Sequence, residues 1–270
     1  MTVLSCNFFS KCLNNFVDVS VYIPSLHNGD ISLGGLSLEQ IYDKNRKFKT
    51  VYLLHGMLDD HSSWMRWSMV EEQAEKHQFA LVMPSGQNSF YINNQSGLNY
   101  YDFINKELPM WAEMNFPLLE GRENRFIAGL SMGGYGAVRH GLSTPENYAA
   151  VGSFSGALNA VALGDAISAV GADASFLNFD NVFGGADKIA GTDNDLFCLA
   201  EKTAASGKPL PKLYISCGLQ DFMCYQMAVD FRDHAKKLGY DVTFMEMEGI
   251  HEWKVWNASV VEFLDMIAKM

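Results

Sequence analysis

The chain has 270 residues, of which 48% are hydrophobic and 19% charged, a composition typical of a globular protein. Its formal charge of -11 at pH 7 argues against nucleic-acid binding, because neutralising phosphates requires a basic surface. No apolar run approaches the roughly 18 residues that a membrane-spanning helix needs, so we expect no membrane span.

The five cysteines favour a reducing compartment. They are odd in number and scattered, and no two have the spacing of a zinc or redox motif. The first residues lack the basic start and the apolar segment of a signal peptide. Leu4-Ser5-Cys6 is similar to a lipoprotein cleavage site, but too few residues precede it. We therefore expect a cytoplasmic protein.

The predicted elements begin with two strands, residues 3–9 and 16–23, that form an antiparallel start to a sheet. Residues 25–48 carry little periodic signal, which indicates a surface excursion. Unbroken or alternating apolar runs then predict strands at 50–54, 79–84, 125–128, 148–154, 212–217 and 241–245. Helical spacing predicts helices at about 64–77, about 101–116, after Ser131, at about 223–238 and at about 254–269.

This alternation of strands and helices predicts an α/β fold with a mostly parallel central sheet and helices on both faces. Ligands of such folds bind at the carboxyl ends of the strands. Residues 156–210 are rich in Ala, Gly and Asp and match no simple strand–helix unit, so we expect an inserted cap over those strand ends. No repeat or linker divides the chain, which predicts a single domain over residues 1–270.

The segment that carries the most chemical information is Gly129-Leu130-Ser131-Met132-Gly133. A predicted strand precedes it and a helical segment follows, which is the pattern of a nucleophile elbow that lifts a serine hydroxyl above the sheet. Gly129 and Gly133 fit this interpretation, because a Cβ in so sharp a turn would clash with neighbouring backbone. A Gly-rich turn with an incidental serine is the alternative.

A serine hydroxyl needs a base, and in this fold the base follows the serine in the chain. His140 lies about 13 Å further along the elbow helix, which is out of reach. His234 lies among charged residues in a predicted amphipathic helix, which indicates a solvated face. His251 follows the last predicted strand, at its carboxyl end. We therefore predict His251 as the base.

The acid that orients the base should come from another loop at the end of a strand. Asp221 directly follows the penultimate predicted strand, whereas the other aspartates lie in the 156–210 insertion or several turns into a helix. Capping the helix that follows is the alternative role for Asp221.

An oxyanion hole needs two backbone N–H donors. One is expected from Met132, the residue after the serine, and one from the loop after the strand at 50–54. Gly56 in that loop allows the backbone to turn its amides inward, so we place the second donor at Met57. No metal is expected, because Gly184–Asp187 and Asp193–Asp195 lack the ligand spacing of a calcium loop.

Four motifs in this order resemble the esterase D-like branch of the α/β-hydrolases, and most of all the bacterial tributyrin esterases. They are Leu54–Met57, Gly129–Gly134, Cys217–Asp221 and Gly249–Trp253, and Met83–Tyr91 is similar to the active-site loop of this branch. The resemblance covers nearly the whole chain and implies Ser131, Asp221 and His251 as a catalytic triad and Met57 and Met132 as the oxyanion donors. The 25–48 segment looks longer than the connection usual in the family, which leaves open whether that face forms a homo-oligomer.

Together these features predict a serine carboxylesterase that hydrolyses small, uncharged, short-chain acyl esters without a metal or an organic cofactor. The same branch contains S-formylglutathione hydrolases and feruloyl esterases, which remain alternatives. An acyltransferase would use the same triad with an alcohol acceptor. A non-catalytic binding protein with this fold is a further alternative.

Overall fold

The computed structural model describes residues 1–25, 37–169, 171 and 173–270. The strands are β1 (Thr2–Ser10), β2 (Asn15–Ile23), β3 (Lys49–Leu54), β4 (Phe79–Pro84), β5 (Arg125–Leu130), β6 (Ala150–Phe154), β7 (Lys212–Gly218) and β8 (Val242–Met247). The helices are α1 (Leu38–Ile41), α2 (Ser63–Trp67), α3 (Val70–His77), α4 (Tyr100–Asp102), α5 (Leu108–Asn115), α6 (Met132–Ser143), α7 (Ala160–Ala169), α8 (Phe179–Phe183), α9 (Leu196–Ala205), α10 (Tyr225–Lys237) and α11 (Trp253–Ile267).

The strands form a mixed sheet in the order β1-β2-β4-β3-β5-β6-β7-β8. β1 pairs antiparallel with β2, and β2 pairs antiparallel with β4. The pairs from β4 through β3, β5, β6 and β7 to β8 are all parallel. The predicted antiparallel start and mostly parallel sheet are therefore confirmed.

Both faces of the sheet are covered. Val51 and Leu53 of β3 belong to the core on one face, together with apolar residues of α3 and α11. Tyr52 and Leu54 belong to the core on the other face, with residues of α5, α6, α9 and α10. All four side chains are fully buried, as the unbroken apolar run in this strand predicts.

The helix predicted at 64–77 is two helices, because Ser68 interrupts it. Ser68 has an extended backbone (φ -136°, ψ 170°), and its hydroxyl accepts a hydrogen bond from the Val70 N–H at the start of α3. The Met69 N–H donates to Asn257 Oδ1 of α11 instead of to a helical carbonyl. This link to a residue far along the chain divides the helix.

The helix predicted at 101–116 is also irregular, with a π-helical turn over Phe103–Glu107 between α4 and α5. The Leu108 N–H donates to Phe103 O, five residues back. Pro109 follows and has no N–H to donate, so a regular α-helical ladder is not available there.

The inserted segment 156–210 contains α7, α8 and α9, and its second half is attached to the body of the fold. The Tyr135 hydroxyl of α6 donates to Asn194 O (2.8 Å), and the Thr203 hydroxyl of α9 donates to Leu142 O (2.7 Å). Part of the predicted 25–48 excursion, residues 26–36, lies outside the described residues. Among the helices that the structure describes, none is long and apolar enough to cross a membrane.

Gly133 allows the closest backbone approach in the turn after β5. A Cβ on Gly133 would overlap Leu54 O and would lie 2.6 Å from His55 O, while one on Gly129 would overlap Gly133 O. The steric reason given above for both glycines is therefore confirmed.

We expect Gly133→Ala to lower the free energy of unfolding by about 3 kcal/mol, since the atoms it meets are backbone and cannot rotate away. Gly164→Ala is the matched control: it lies within α7, nothing lies within 4 Å of its Cβ, and a gain of about 0.5–1 kcal/mol is expected. Urea denaturation measures both changes. Equal effects of the two substitutions would contradict the steric argument.

Candidate active site

Ser131 lies at the turn between β5 and α6, with a strained backbone of φ 52° and ψ -118°. Its N–H donates to Phe154 O of the neighbouring strand (2.9 Å), which fixes the turn. The hydroxyl faces a cavity at the carboxyl ends of the parallel strands. The predicted strand, turn and helix around this serine are thus present.

The loops after β7 and β8 bring Asp221 and His251 to this serine. His251 Nε2 lies 3.0 Å from Ser131 Oγ, and His251 Nδ1 lies 2.7 Å from Asp221 Oδ2. Because an ionised carboxylate can only accept, Nδ1 carries the proton and Nε2 accepts from the serine hydroxyl. The three side chains form one continuous hydrogen-bonded chain.

Asp221 is buried, yet it is held in its ionised form. Burial acts to raise the pKa of its carboxyl group, but the hydrogen bond and the charge of His251 and hydrogen bonds from Ser155 and Cys224 hold that pKa below its ordinary value. The Met223 and Cys224 N–H groups donate to Oδ1, at 3.3 and 3.1 Å. Asp221 therefore both contacts the imidazole and caps the turn that follows.

The other two histidines after Ser131 have partners elsewhere. His140 is buried in α6 and its Nε2 bonds to Tyr91 O (3.0 Å). His234 Nε2 lies 3.3 Å from Phe197 O. Neither hydrogen-bonds to Ser131, in agreement with the sequence analysis, which excluded both as the base.

Two buried histidines, His55 and His140, hold the loops around the site, a role that the sequence did not predict. His55 Nε2 accepts from the Gly86 N–H (2.8 Å), and its carbonyl accepts from the Tyr91 hydroxyl (2.9 Å). The His140 Nε2–H donates to the Tyr91 carbonyl (3.0 Å). Because Tyr91 has a positive φ of 57°, these bonds stabilise a strained loop.

Both imidazoles are neutral in the fold. Burial lowers the pKa of His55 to about 4, and burial together with the charge of Arg139 lowers that of His140 to about 3. Between the ordinary pKa of about 6.5 and pH 4, the unfolded chain binds protons that the folded chain does not. Acidification through this window therefore destabilises the fold.

We expect the free energy of unfolding to fall by up to about 1.4 kcal/mol per pH unit for each imidazole between pH 6.5 and 4. Urea denaturation at intervals of pH measures this slope. His140→Gln, which keeps an N–H donor for Tyr91 O but cannot titrate, should reduce it. An identical slope in the variant would contradict the assignment.

The two predicted oxyanion donors border the same cavity as Ser131. Met57 and Met132 both line it, and within the described residues neither backbone N–H donates a hydrogen bond to another group. The adjacent Leu58 N–H donates to Asn88 Oδ1 (2.8 Å), which fixes the loop after β3. The Met132 sulfur accepts from the Phe90 N–H at 3.4 Å, so this side chain also has a structural contact that the sequence did not predict.

The cavity has a volume of about 220 Å³ and is mainly apolar. The inserted segment contributes five apolar side chains to its wall, and Met223 of the loop after β7 and Trp256 of α11 contribute others; the five are Ala157, Leu163, Ile167, Phe176 and Leu177. In the described part of the chain no lysine or arginine lines it, and Asp59 adds a carboxylate. This environment favours an uncharged ligand.

A mostly parallel sheet with a strand–serine–helix turn, and with His and Asp presented by later strand-end loops, defines a serine hydrolase of the α/β-hydrolase type. Comparison with known proteins narrows the class. The chain belongs to the Esterase family, whose model matches residues 36–267. It is a carboxylic ester hydrolase.

Individual relatives agree with this assignment. The acetyl esterase of Caldicellulosiruptor saccharolyticus is 30% identical over 276 residues, which cover 100% of this chain and 99% of the relative. FphF, a fluorophosphonate-binding serine hydrolase of Staphylococcus aureus, is 28% identical with a TM-score of 0.85 over 99% of this chain and 98% of FphF. The S-formylglutathione hydrolase FrmB of the same organism is 28% identical with a TM-score of 0.81, at the same coverage of both chains.

Proposed function

We propose that this esterase hydrolyses short-chain, uncharged acyl esters of the tributyrin or acetyl-ester type through an acyl-enzyme intermediate. The observation that carries the proposal is the hydrogen-bonded chain from Ser131 through His251 to Asp221. This series of hydrogen bonds lets a neutral serine act as a nucleophile near pH 7.

In the first half of the reaction, Ser131 Oγ attacks the ester carbonyl while His251 Nε2 takes its proton. Asp221 keeps the imidazole in the required tautomer and stabilises the cation that forms. The Met57 and Met132 amides donate to the developing oxyanion. His251 then gives the proton to the departing alcohol, which leaves an acyl group on Ser131.

In the second half, water takes the place of the alcohol. His251 removes a proton from the water, which attacks the acyl carbonyl, and the same amides hold the second oxyanion. Collapse of this intermediate releases the carboxylic acid and returns the proton to Ser131. Every step uses groups of this chain and the two substrates, ester and water.

The oxyanion role can be tested at Met57, since a proline there has no N–H. Met57→Pro should lower kcat by about 100- to 1000-fold, the effect of losing one such donor. Met57→Ala, which keeps the N–H, is the matched control and should retain activity within about tenfold. Steady-state hydrolysis of p-nitrophenyl acetate measures both, and equal losses would contradict the role of the amide.

The small apolar cavity supports the choice of substrate. A charged acyl or leaving group would lose hydration there without a cationic partner, because no lysine or arginine among the described residues lines the cavity and Asp59 contributes a negative charge. S-formylglutathione is the second candidate, because FrmB is named for that activity and shares this fold closely. Its carboxylates would face the unfavourable charge of Asp59.

The deciding experiment compares kcat/KM for p-nitrophenyl acetate, butyrate and octanoate with that for S-formylglutathione. We expect the highest values for the short esters. Asp59→Asn should raise the value for S-formylglutathione more than that for the acetate, because only the former carries negative charge. A preference of the wild type for S-formylglutathione would overturn the proposed substrate class.

Product analysis separates hydrolysis from acyl transfer. With an alcohol acceptor added, the hydrolase should release mainly free acid.

We further propose a single domain over residues 1–270 in which the first part of the 156–210 insertion, around α7, caps the cavity. Its five apolar side chains in the cavity wall support this role. The five free thiols support a cytoplasmic location.

A further inference from the structure

The cavity contains a cysteine that the proposed mechanism does not use. Cys224 lines the cavity beside Met223 and is almost fully buried. Its N–H donates to Asp221 Oδ1, so the same turn presents the carboxylate and the thiol to the space next to His251. A carboxylate, an imidazole and a thiol therefore converge at one point.

We propose that Cys224, His251 and Asp221 form an inhibitory site for a thiophilic divalent cation of the zinc group, Zn²⁺ or Cd²⁺. One ligand atom from each residue lies within 4.8 Å of the other two. In a tetrahedral zinc site with bonds of about 2.0–2.3 Å, ligand atoms are about 3.5 Å apart. Because 4.8 Å is the upper limit of these distances, the ligand atoms furthest apart would have to approach by up to about 1 Å, whereas Asp221 Oδ2 and His251 Nδ1, 2.7 Å apart, would have to separate if both bind the metal.

The donor set selects the type of metal. Thiolate and imidazole ligands favour zinc-group ions, whereas Mg²⁺ and Ca²⁺ favour oxygen ligands. Three protein ligands would leave a fourth position open to water from the cavity. Binding would release the proton of the Cys224 thiol, because the thiolate is the ligand.

The metal would inhibit because it uses the imidazole. If it binds His251 Nε2, it occupies the lone pair that accepts the proton of Ser131. If it binds Nδ1, it displaces the hydrogen bond to Asp221. This consequence depends on the proposed role of His251 as base, whereas metal binding itself does not.

Binding is tested first without substrate. Cd²⁺ is titrated into the wild type and into Cys224→Ala, and the ultraviolet charge-transfer absorption of thiolate-bound Cd²⁺ is followed. Loss of one ligand should weaken the binding by at least about tenfold. Cys224→Ser, which nearly keeps the side-chain volume, should behave in the same way. Cys198→Ala removes a thiol of α9 outside the cavity and is the matched control.

Inhibition is tested second. The quantity measured is the Zn²⁺ concentration that halves the rate of p-nitrophenyl acetate hydrolysis, and each variant is compared with its own rate without metal. We expect reversible inhibition of the wild type and of Cys198→Ala, and at least about tenfold weaker inhibition of Cys224→Ala. Equal Cd²⁺ binding and equal inhibition in all variants would overturn the site. Binding that depends on Cys224 in a chain without esterase activity would support the metal site and contradict the proposed function.

Discussion

Ser131→Ala is expected to lower kcat for p-nitrophenyl acetate by about a millionfold, the loss seen when a serine nucleophile is removed from such a triad. The reason is that no other hydroxyl is bonded to His251 Nε2 within the described residues. Residual hydrolysis should then come only from binding and the oxyanion amides. Steady-state kinetics measures the change.

A second buried serine near the site provides the control for this prediction. Ser155 lies in the next strand-end loop, is buried and hydrogen-bonds to Cys217 and Asp221, but it makes no hydrogen bond to His251. Ser155→Ala should retain far more activity than Ser131→Ala. If Ser131→Ala kept activity within about tenfold of the wild type, the nucleophile would have been misassigned.

Asp221→Asn is expected to lower kcat by about ten-thousandfold at neutral pH. An asparagine amide at this position donates to His251 Nδ1, so the ring proton moves to Nε2. The nitrogen that lies 3.0 Å from Ser131 Oγ could then no longer accept its proton. The side chain keeps its size and its oxygen for the Cys224 N–H, so the fold should persist.

The control for this change is a nearby carboxylate that does not touch the imidazole. Glu248 precedes His251 in the same loop and accepts from Gln220 Nε2 (2.7 Å) at the surface. Glu248→Gln should leave kcat within about tenfold of the wild-type value. Asp221→Asn turnover in that same range would show that another group orients the base.

Much of this site is predictable because its residues occupy positions set by topology. Ser131, Asp221 and His251 each follow a parallel strand, and parallel strands end at one edge of the sheet. Gly129 and Gly133 are predictable from the sequence for a steric reason, since only a residue without a Cβ fits against the Leu54 carbonyl. Local pattern and strand order together are sufficient for these features.

The remaining features depend on contacts between residues far apart in the chain. The break in the helix predicted at 64–77 rests on Asn257, which lies 188 positions from Met69. The strained backbone at Tyr91 rests on His55 and His140. Cys224 lies in the turn that Asp221 caps, a bond that the sequence indicates, but no sequence pattern predicts that its thiol lines the cavity.

Covalent labelling tests the central claim most directly. The wild type is treated with a fluorophosphonate, digested, and the modified residue is located by peptide mass spectrometry. We predict a single adduct on Ser131, formed much more slowly in Asp221→Asn. An adduct on another residue, or an unlabelled Ser131 in an enzyme that still hydrolyses esters, would contradict the account.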